Sequence, residues 1–172
     1  MPQKVTLRKA QERDRYRVMG WKNLPESIAL SASQQPVTLA EHDAWFTALL
    51  RDPDRLLLMI EPGIGMVRFD LKGNAAAASI FLVSKMRGKG IGSTVLRKAC
   101  TRVFVHWPQL FMVFAKIRAD NEASVAAFER AGFQPVGDIK NGIRLFACIP
   151  QPHRGQPGAT HAAVHPVPWG TV

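Results

Sequence analysis

Tyrosine occurs once, at Tyr16, and cysteine twice, at Cys100 and Cys148. Two cysteines cannot build the disulfide framework of a small secreted domain, and no metal-like Cys or His spacing accompanies them. They are expected as buried thiols in a reducing, cytoplasmic setting. Acidic residues are few as well: 13 against 23 Lys and Arg, for a net charge of +10. Such an excess suits a polyanionic ligand or a solvated basic surface. The cations are scattered and no RNA-binding signature is present, so no nucleic acid is expected as a partner. No apolar run approaches the ~20 residues that span a bilayer, so no membrane partner is expected. The start, "MPQKVTLRKAQERDRYR", lacks the apolar stretch of a secretory signal. What is present is a composition of 47% hydrophobic and 21% charged residues over 172 positions, enough for one domain with a core.

Patterning predicts the elements. "KVTLRKA" (4–10) alternates as an edge strand, and "QERDRYRVMGW" follows as a short helix stopped near Gly20. "NLPESIALSASQQPV" reads as a loop or broken helix. Thr38 and Glu41 form a capping box, opening a helix to about Leu50 with Ala44, Trp45, Ala48 and Leu49 on one face. Three strands, 55–61, 66–71 and 75–83, make an antiparallel meander. A helix from about Gly90 to Val105 repeats Ile91, Val95, Ala99 and Val103 every four positions. A buried strand (110–117), a helix (121–132) capped by Asn121 and ended by Gly132, and a hairpin complete a mixed α/β sheet with helices on its faces. Residues 1–149 are expected as the domain. Residues 150–172, rich in Pro, Gly and His, are expected as a tail that Trp169 docks on the body or a neighbour. His153, His161 and His165 are too loosely spaced to count as a metal site, so no metal is expected.

The stretch "SKMRGKGIGSTVLRKAC" (84–100) sets Gly88, Gly90 and Gly92 beside Arg87 and Lys89 at the mouth of a helix. Glycine lets a ligand reach the backbone, and a helix N-terminus offers unpaired N–H groups and a partial positive charge. Together these suit a phosphate. The spacing is neither a dinucleotide fingerprint nor a P-loop.

Two blocks resemble the GNAT superfamily of acetyl-CoA-dependent N-acetyltransferases: "SIFLVSKMRGKGIGSTVL" (79–96), which fits its Arg-x-x-Gly-x-Gly loop, and "IRADNEASVAAFERAGFQPVG" (117–137), which fits its Asn-x-x-Ser helix. The resemblance implies acetyl-CoA as co-substrate, with a sheet splayed between the fourth and fifth strands. It implies that backbone N–H groups from Arg87 to Gly92, through Gly88, Lys89, Gly90 and Ile91, bind the pyrophosphate, with a hydroxyl from Ser93. Phe81 and Leu82 would line one side of the pantetheine arm, and Asn121 and Ser124 the other; a backbone N–H near Leu82 would be the oxyanion donor, which sets the reacting acetyl there. Many members place a tyrosine in the Asn-x-x-Ser helix as a general acid. Phe128 stands there in this sequence and is expected among the cofactor-binding residues without acting as an acid; a thiol of pKa ~8.5 is a fair leaving group without one.

In the N-terminal half, "MGWKN" (19–23), "TLAEHDAWF" (38–46) and "GMVRFDL" (65–71) resemble the amino-sugar nucleotide N-acetyltransferases of the pseudaminic-acid and flagellin-glycosylation type. That narrower resemblance implies a nucleotide-linked amino sugar as the small-molecule amine substrate. Trp21 and Trp45 would stack on a sugar or base, Asn23 and His42 would bond hydroxyls, and Arg68 would meet a phosphate. Asp70 would act as base, with His42 beside it. Trp45 also suits a helical core face, and Arg68 and Asp70 share a strand face and can pair with each other. Glu26 and Glu41 are further base candidates, Glu41 mainly as a cap. Two alternatives are an acetyltransferase of protein or ribosomal-protein N-termini and a non-enzymatic module that binds acyl-CoA. A homodimer is common in related proteins, and sheet edges and the tail would supply its surfaces.

Overall fold

A computed structural model of the chain describes residues 5–29 and 33–150. The tail residues Trp169, His153, His161 and His165 therefore lie outside the described residues. Seven strands form one sheet: β1 (Thr6–Lys9), β2 (Arg55–Glu61), β3 (Gly65–Lys72), β4 (Ala75–Leu82), β5 (Met112–Arg118), β6 (Gln134–Lys140) and β7 (Ile143–Cys148). Their order is β1-β2-β3-β4-β5-β7-β6. The first four run antiparallel, as the meander predicts. Between β4 and β5 the chain crosses over through α4 (Ile91–His106), so this pair is parallel. Helices α1 (Arg15–Lys22), α2 (Pro25–Ala29), α3 (Leu39–Arg51) and α5 (Glu122–Arg130) complete the set.

Side chains alternate across the sheet and build a core on each face. On one face, Val67 and Phe69 of β3 and Ala76 and Ala78 of β4 pack under Val95, Leu96, Ala99 and Val103 of α4 and Phe128 of α5. On the other, Leu57, Met59, Met66 and Phe81 pack under Val18 and Trp21 of α1 and Phe46 and Leu49 of α3. This second face carries the acceptor-side residues named from sequence.

Two expectations shift. Gly20 does not stop α1, which runs to Lys22. The glycine has open space around it, while the next residue, Trp21, is buried and holds the last turn on the sheet. The inward face of α3 is His42, Phe46 and Leu49, with Trp45 half-buried at its edge, rather than Ala44, Trp45, Ala48 and Leu49. The Thr38 cap forms as expected: its hydroxyl accepts the Glu41 N–H at 3.3 Å, and the Glu41 carboxylate accepts the Thr38 N–H at 2.9 Å.

A corner of charge fixes the α1 end of the sheet. Arg8 donates twice to the buried Asp14 at 2.7 Å and once to Glu61 at 2.7 Å. This bidentate grip holds the Asp14 carboxyl below the usual carboxylate range. Arg15 then ties α1 to α3 through the Asp43 carbonyl at 2.9 Å and the Thr47 hydroxyl at 3.0 Å. Both cysteines are free thiols, Cys100 buried and Cys148 half-buried. Among the described residues no helix is long and apolar enough to cross a membrane.

Candidate active site

The β4–β5 junction sets the site. The two strands pair only over Ala75–Ala77 against Met112–Phe114. β4 then continues to Leu82, still paired on its other side to β3, while β5 continues to Arg118 against β7. From Ala78 onward the strands diverge, leaving backbone groups of β4 without a strand partner on that side. An unpaired strand edge is a ready template for further pairing, so this partly exposed edge is suited to an extended ligand.

At the end of that edge the chain makes a short 3-10 turn (Ser84–Met86) and enters the glycine loop. Gly88 and Gly90 both adopt φ of +72, a left-handed conformation costly to a side chain, and nothing lies within 4 Å of where a Cβ would point. The glycines therefore shape the loop as well as opening it. Gly90 is the N-cap of α4 and provides no side-chain cap. The first helical bond is made by Thr94 to the Gly90 carbonyl at 3.5 Å, leaving the N–H groups of Ile91, Gly92 and Ser93 at the open first turn. A cradle of donors at a helix N-terminus, with Lys89 exposed beside it, fits the pyrophosphate of coenzyme A. Gly92 differs from Gly88 and Gly90: a Cβ there would make ordinary contacts, 3.5 Å to Ala127 and 3.6 Å to Leu82, so the packing of α4 on α5 and β4 would tolerate a small side chain at this position.

Several cofactor residues behave differently from the sequence reading. The Arg87 N–H is already bonded to the Ser84 carbonyl at 3.1 Å, so the free donors begin after it. Its guanidinium turns back from the loop, donating to the Leu82 carbonyl at 2.8 Å. The buried Ser93 hydroxyl donates to the Gly90 carbonyl at 3.0 Å, so it stiffens the loop instead of reaching outward. Asn121, by contrast, caps α5 as the sequence predicts, its side-chain oxygen accepting the Ser124 N–H at 3.1 Å. Phe128 is 3% exposed and packs edge-to-face on Phe133 with ring centroids 4.9 Å apart, so it is a core residue rather than a cofactor contact.

The acceptor-side residues divide likewise. Trp21 lies 5.4 Å from the Phe81 ring, which links α1 to the strand beside the gap. Trp45 is half-buried and carries the Lys22 ammonium 3.7 Å above its ring. Asn23 is committed to the fold: its amide donates to the Val37 carbonyl at 2.9 Å and accepts the Val37 N–H at 2.8 Å. Its polarity anchors the chain ahead of α3, leaving little for a hydroxyl. His42 is fully buried, and its Nε2–H donates to the Arg15 carbonyl at 2.8 Å. Nδ1 has no protein partner, and burial pushes the ring's pKa down. The imidazole is thus a neutral brace between α1 and α3, walled off from a substrate.

Asp70 is displaced from the Leu82 end of β4, where the free edge meets the glycine loop. Gly65 pairs with Leu82 and Asp70 with Ala77, so Asp70 lies five residues, roughly 16 Å, along the strand. It is also engaged by Arg68, whose Nε is 2.8 Å away, and by Arg55 at 3.8 Å. The Arg68 contact is an ion pair without good hydrogen-bond alignment, since Nε makes no aligned bond. A carboxylate held by two guanidiniums at that distance is not placed to deprotonate an amine. Arg68, opposite Ser79, is nearer, roughly 10 Å from Leu82.

The carboxylate that does stand at the Leu82 end is Glu26, in α2. It accepts the Ser84 hydroxyl at 2.9 Å and lies 3.6 Å from Arg87. Its own N–H and the Ser84 hydroxyl hold its pKa down, so it is ionised. Sequence reading reached Glu26 only as a further base candidate and did not single out Lys22 or Ser84. Lys22 was legible as the middle residue of Trp21-Lys22-Asn23, but a lone lysine carries no motif. Among the described residues no group of three His, Cys, Asp or Glu is gathered to hold a metal ion.

Comparison with known proteins agrees with this geometry. The family described as "Acetyltransferase (GNAT) domain" matches residues 4–134. The chain belongs to the GNAT acetyltransferases. As a GNAT member it is an acetyl-CoA-dependent N-acetyltransferase. No curated relative matches at the level of sequence. Among solved structures, a domain from Methanocaldococcus jannaschii superposes with a TM-score of 0.72 at 18% identity, covering 85% of this chain and 98% of that one. Spermidine N-acetyltransferase from Vibrio cholerae, in complex with CoA and spermine, gives 0.72 at 18% identity over 84% of this chain and 95% of that one. Aminoglycoside acetyltransferase AAC(6')-Ib, in complex with coenzyme A and kanamycin, gives 0.70 at 18% identity over 85% and 95%. At this identity these likenesses speak for the GNAT fold.

Proposed function

We propose that this GNAT domain acetylates the primary amine of a nucleotide-linked amino sugar. The observation that carries the acceptor class is Lys22. Its half-buried ammonium sits on Trp45 beside Arg68, and among the described residues no carboxylate pairs with it. Burial, and then the charge of Arg68, pushes its pKa down. A cation so placed is relieved by an anion, and a nucleotide phosphate is one. Arg68, although paired with Asp70, adds a second positive group, and the half-buried edge of Trp45 offers apolar contact to a sugar or base. A polycation such as the spermine or kanamycin of the structural neighbours finds less support. Two of the acids on this side are engaged, Asp43 by Arg15 and Asp70 by Arg68 and Arg55, which leaves Glu26 as a single acceptor-side carboxylate where a polycation would need several.

Acetyl-CoA supplies the activated acetyl thioester when bound. The chain's own groups position it: N–H donors at the start of α4 hold the pyrophosphate, and the free edge of β4 beside Leu82 receives the arm. Phe128 is withdrawn into the core, so this chain assigns no tyrosine to the leaving thiol. The test is thiol release from acetyl-CoA with four candidate amines: a UDP-linked 4-amino sugar, spermidine, kanamycin and a basic N-terminal peptide. Turnover on the sugar nucleotide alone is the expected result. Preference for spermidine or kanamycin would overturn the anionic-acceptor reading, and preference for the peptide would point to protein N-termini.

A further inference from the structure

We propose that Glu26 receives the acceptor's ammonium and that Arg87 is its resident counter-ion, released when the cofactor's pyrophosphate binds. The proposal rests on the reading of the glycine loop as the coenzyme A site. It begins with the unexpected course of Arg87. This residue opens the phosphate loop, yet its side chain folds away from the loop. Nε donates to the Leu82 carbonyl at 2.8 Å, Nη2 stands 3.6 Å from Glu26 Oε1, and the guanidinium lies 5.7 Å over the Phe81 ring. All three contacts fall at the end of β4 that borders the gap. The guanidinium thus occupies the position an amine would need in order to meet the acetyl group beside Leu82.

Glu26 is built to hold a cation there. Ser84 fixes one of its oxygens with a hydrogen bond at 2.9 Å, so the carboxylate keeps its place if Arg87 leaves. The Arg87 pair is correspondingly weak: its side chains are 46% and 36% exposed, and such pairs contribute little in water. A pyrophosphate at the adjacent N–H cradle offers Arg87 a charge-assisted, bidentate alternative. Moving the guanidinium by one loop residue uncovers Glu26 and frees the Leu82 carbonyl together. Cofactor binding therefore prepares the acceptor's cation site. A sugar nucleotide suits the result: its ammonium meets Glu26, and its phosphate lies toward Arg68 and Lys22, roughly 10 Å back along the strand.

The experiment is a double-mutant cycle read by calorimetric titration of CoA, which needs no turnover. Wild type, Glu26→Gln, Arg87→Ala and the double variant are compared. The expected result is that Glu26→Gln tightens CoA about two- to fivefold when Arg87 is present and has no such effect when residue 87 is alanine. Equal gains in both backgrounds, or no gain in either, would overturn the switch while leaving the cofactor site intact. Failure of wild type to bind CoA would remove the cofactor reading itself. A second titration, of the UDP-linked 4-amino sugar with and without saturating CoA, reads the receptor. Binding should be on the order of tenfold tighter with CoA, and Glu26→Gln should abolish that gain. Equal binding in the two conditions, or no binding in either, would overturn the role of Glu26.

Discussion

Gly65 offers the sharpest test of how the fold places the reaction end. An alanine Cβ at this position would stand 2.2 Å from the Phe81 carbonyl oxygen, 3.0 Å from Leu82 Cδ2 and 3.1 Å from Leu82 Cα. Real Cβ contacts essentially never fall below 3.0 Å, so β3 and β4 must separate by about 0.8 Å. The obstacle is backbone, and no rotamer change relieves it. Gly65 is registered opposite Leu82, so the strain falls on the β4 segment that borders the gap. Overpacking of this kind costs roughly 1–3 kcal/mol. At 2–4 °C per kcal/mol for a domain of this size, Tm should fall by roughly 2–12 °C. A displacement near 1 Å at a reacting geometry costs on the order of 100-fold in rate. The assay is thiol release for kcat/KM, calorimetry for CoA and thermal unfolding for Tm. Gly20→Ala is the control: it lies in α1 with open space around it and should gain about 0.5–1 kcal/mol with CoA affinity unchanged. Normal kcat/KM and Tm in Gly65→Ala would refute the placement of the reaction end beside Leu82.

Three further outcomes are expected. Asn23→Ala removes both bonds to Val37 and should cost about 1–2 kcal/mol in denaturant unfolding, with CoA affinity unchanged. Gly90→Ala forces a side chain into φ of +72 beside the cradle and should weaken CoA on the order of tenfold by calorimetry. His42 carries a lowered pKa in the folded chain, so below about pH 6.5 the unfolded chain takes up a proton that the folded chain refuses. Stability is full above that pH and falls on acidification, by up to about 1.4 kcal/mol per pH unit. His42→Gln should flatten the slope of Tm between pH 7 and 5, with a remainder from His106, whose pKa burial also lowers.

The fold was legible because its signals are local. Alternation, glycine turns, the Thr38–Glu41 box and the four-residue repeat of α4 each act within a few residues. The phosphate cradle was legible for the same reason, being one loop and one helix start. The acceptor side was not, because it is assembled from α1, α2, α3 and β3, which only the tertiary structure brings together. Asn23, His42 and Asp70 are polar residues in motif-like places, and polarity alone does not reveal whether the partner is a ligand or the chain's own backbone. Here Val37, Arg15 and the guanidiniums of Arg68 and Arg55 take them. Glu26 and Arg87, 61 positions apart, are paired by the fold, and nothing in the spacing of either announces it.

The three-residue pairing between β4 and β5 has a mechanical consequence. The sheet is two half-sheets joined by a short seam, with the meander on one side and the β5–β7–β6 group on the other. A pantetheine arm lying along β4 would serve as a strand supplied by the ligand. Cofactor would then add backbone pairing across a gap that the shared core under α4 and α5 already bridges. Amide exchange along Ala78–Leu82 should slow when CoA is added, and the unfolding transition should rise with CoA concentration. The donor molecule that the enzyme consumes would also be the last element of its sheet.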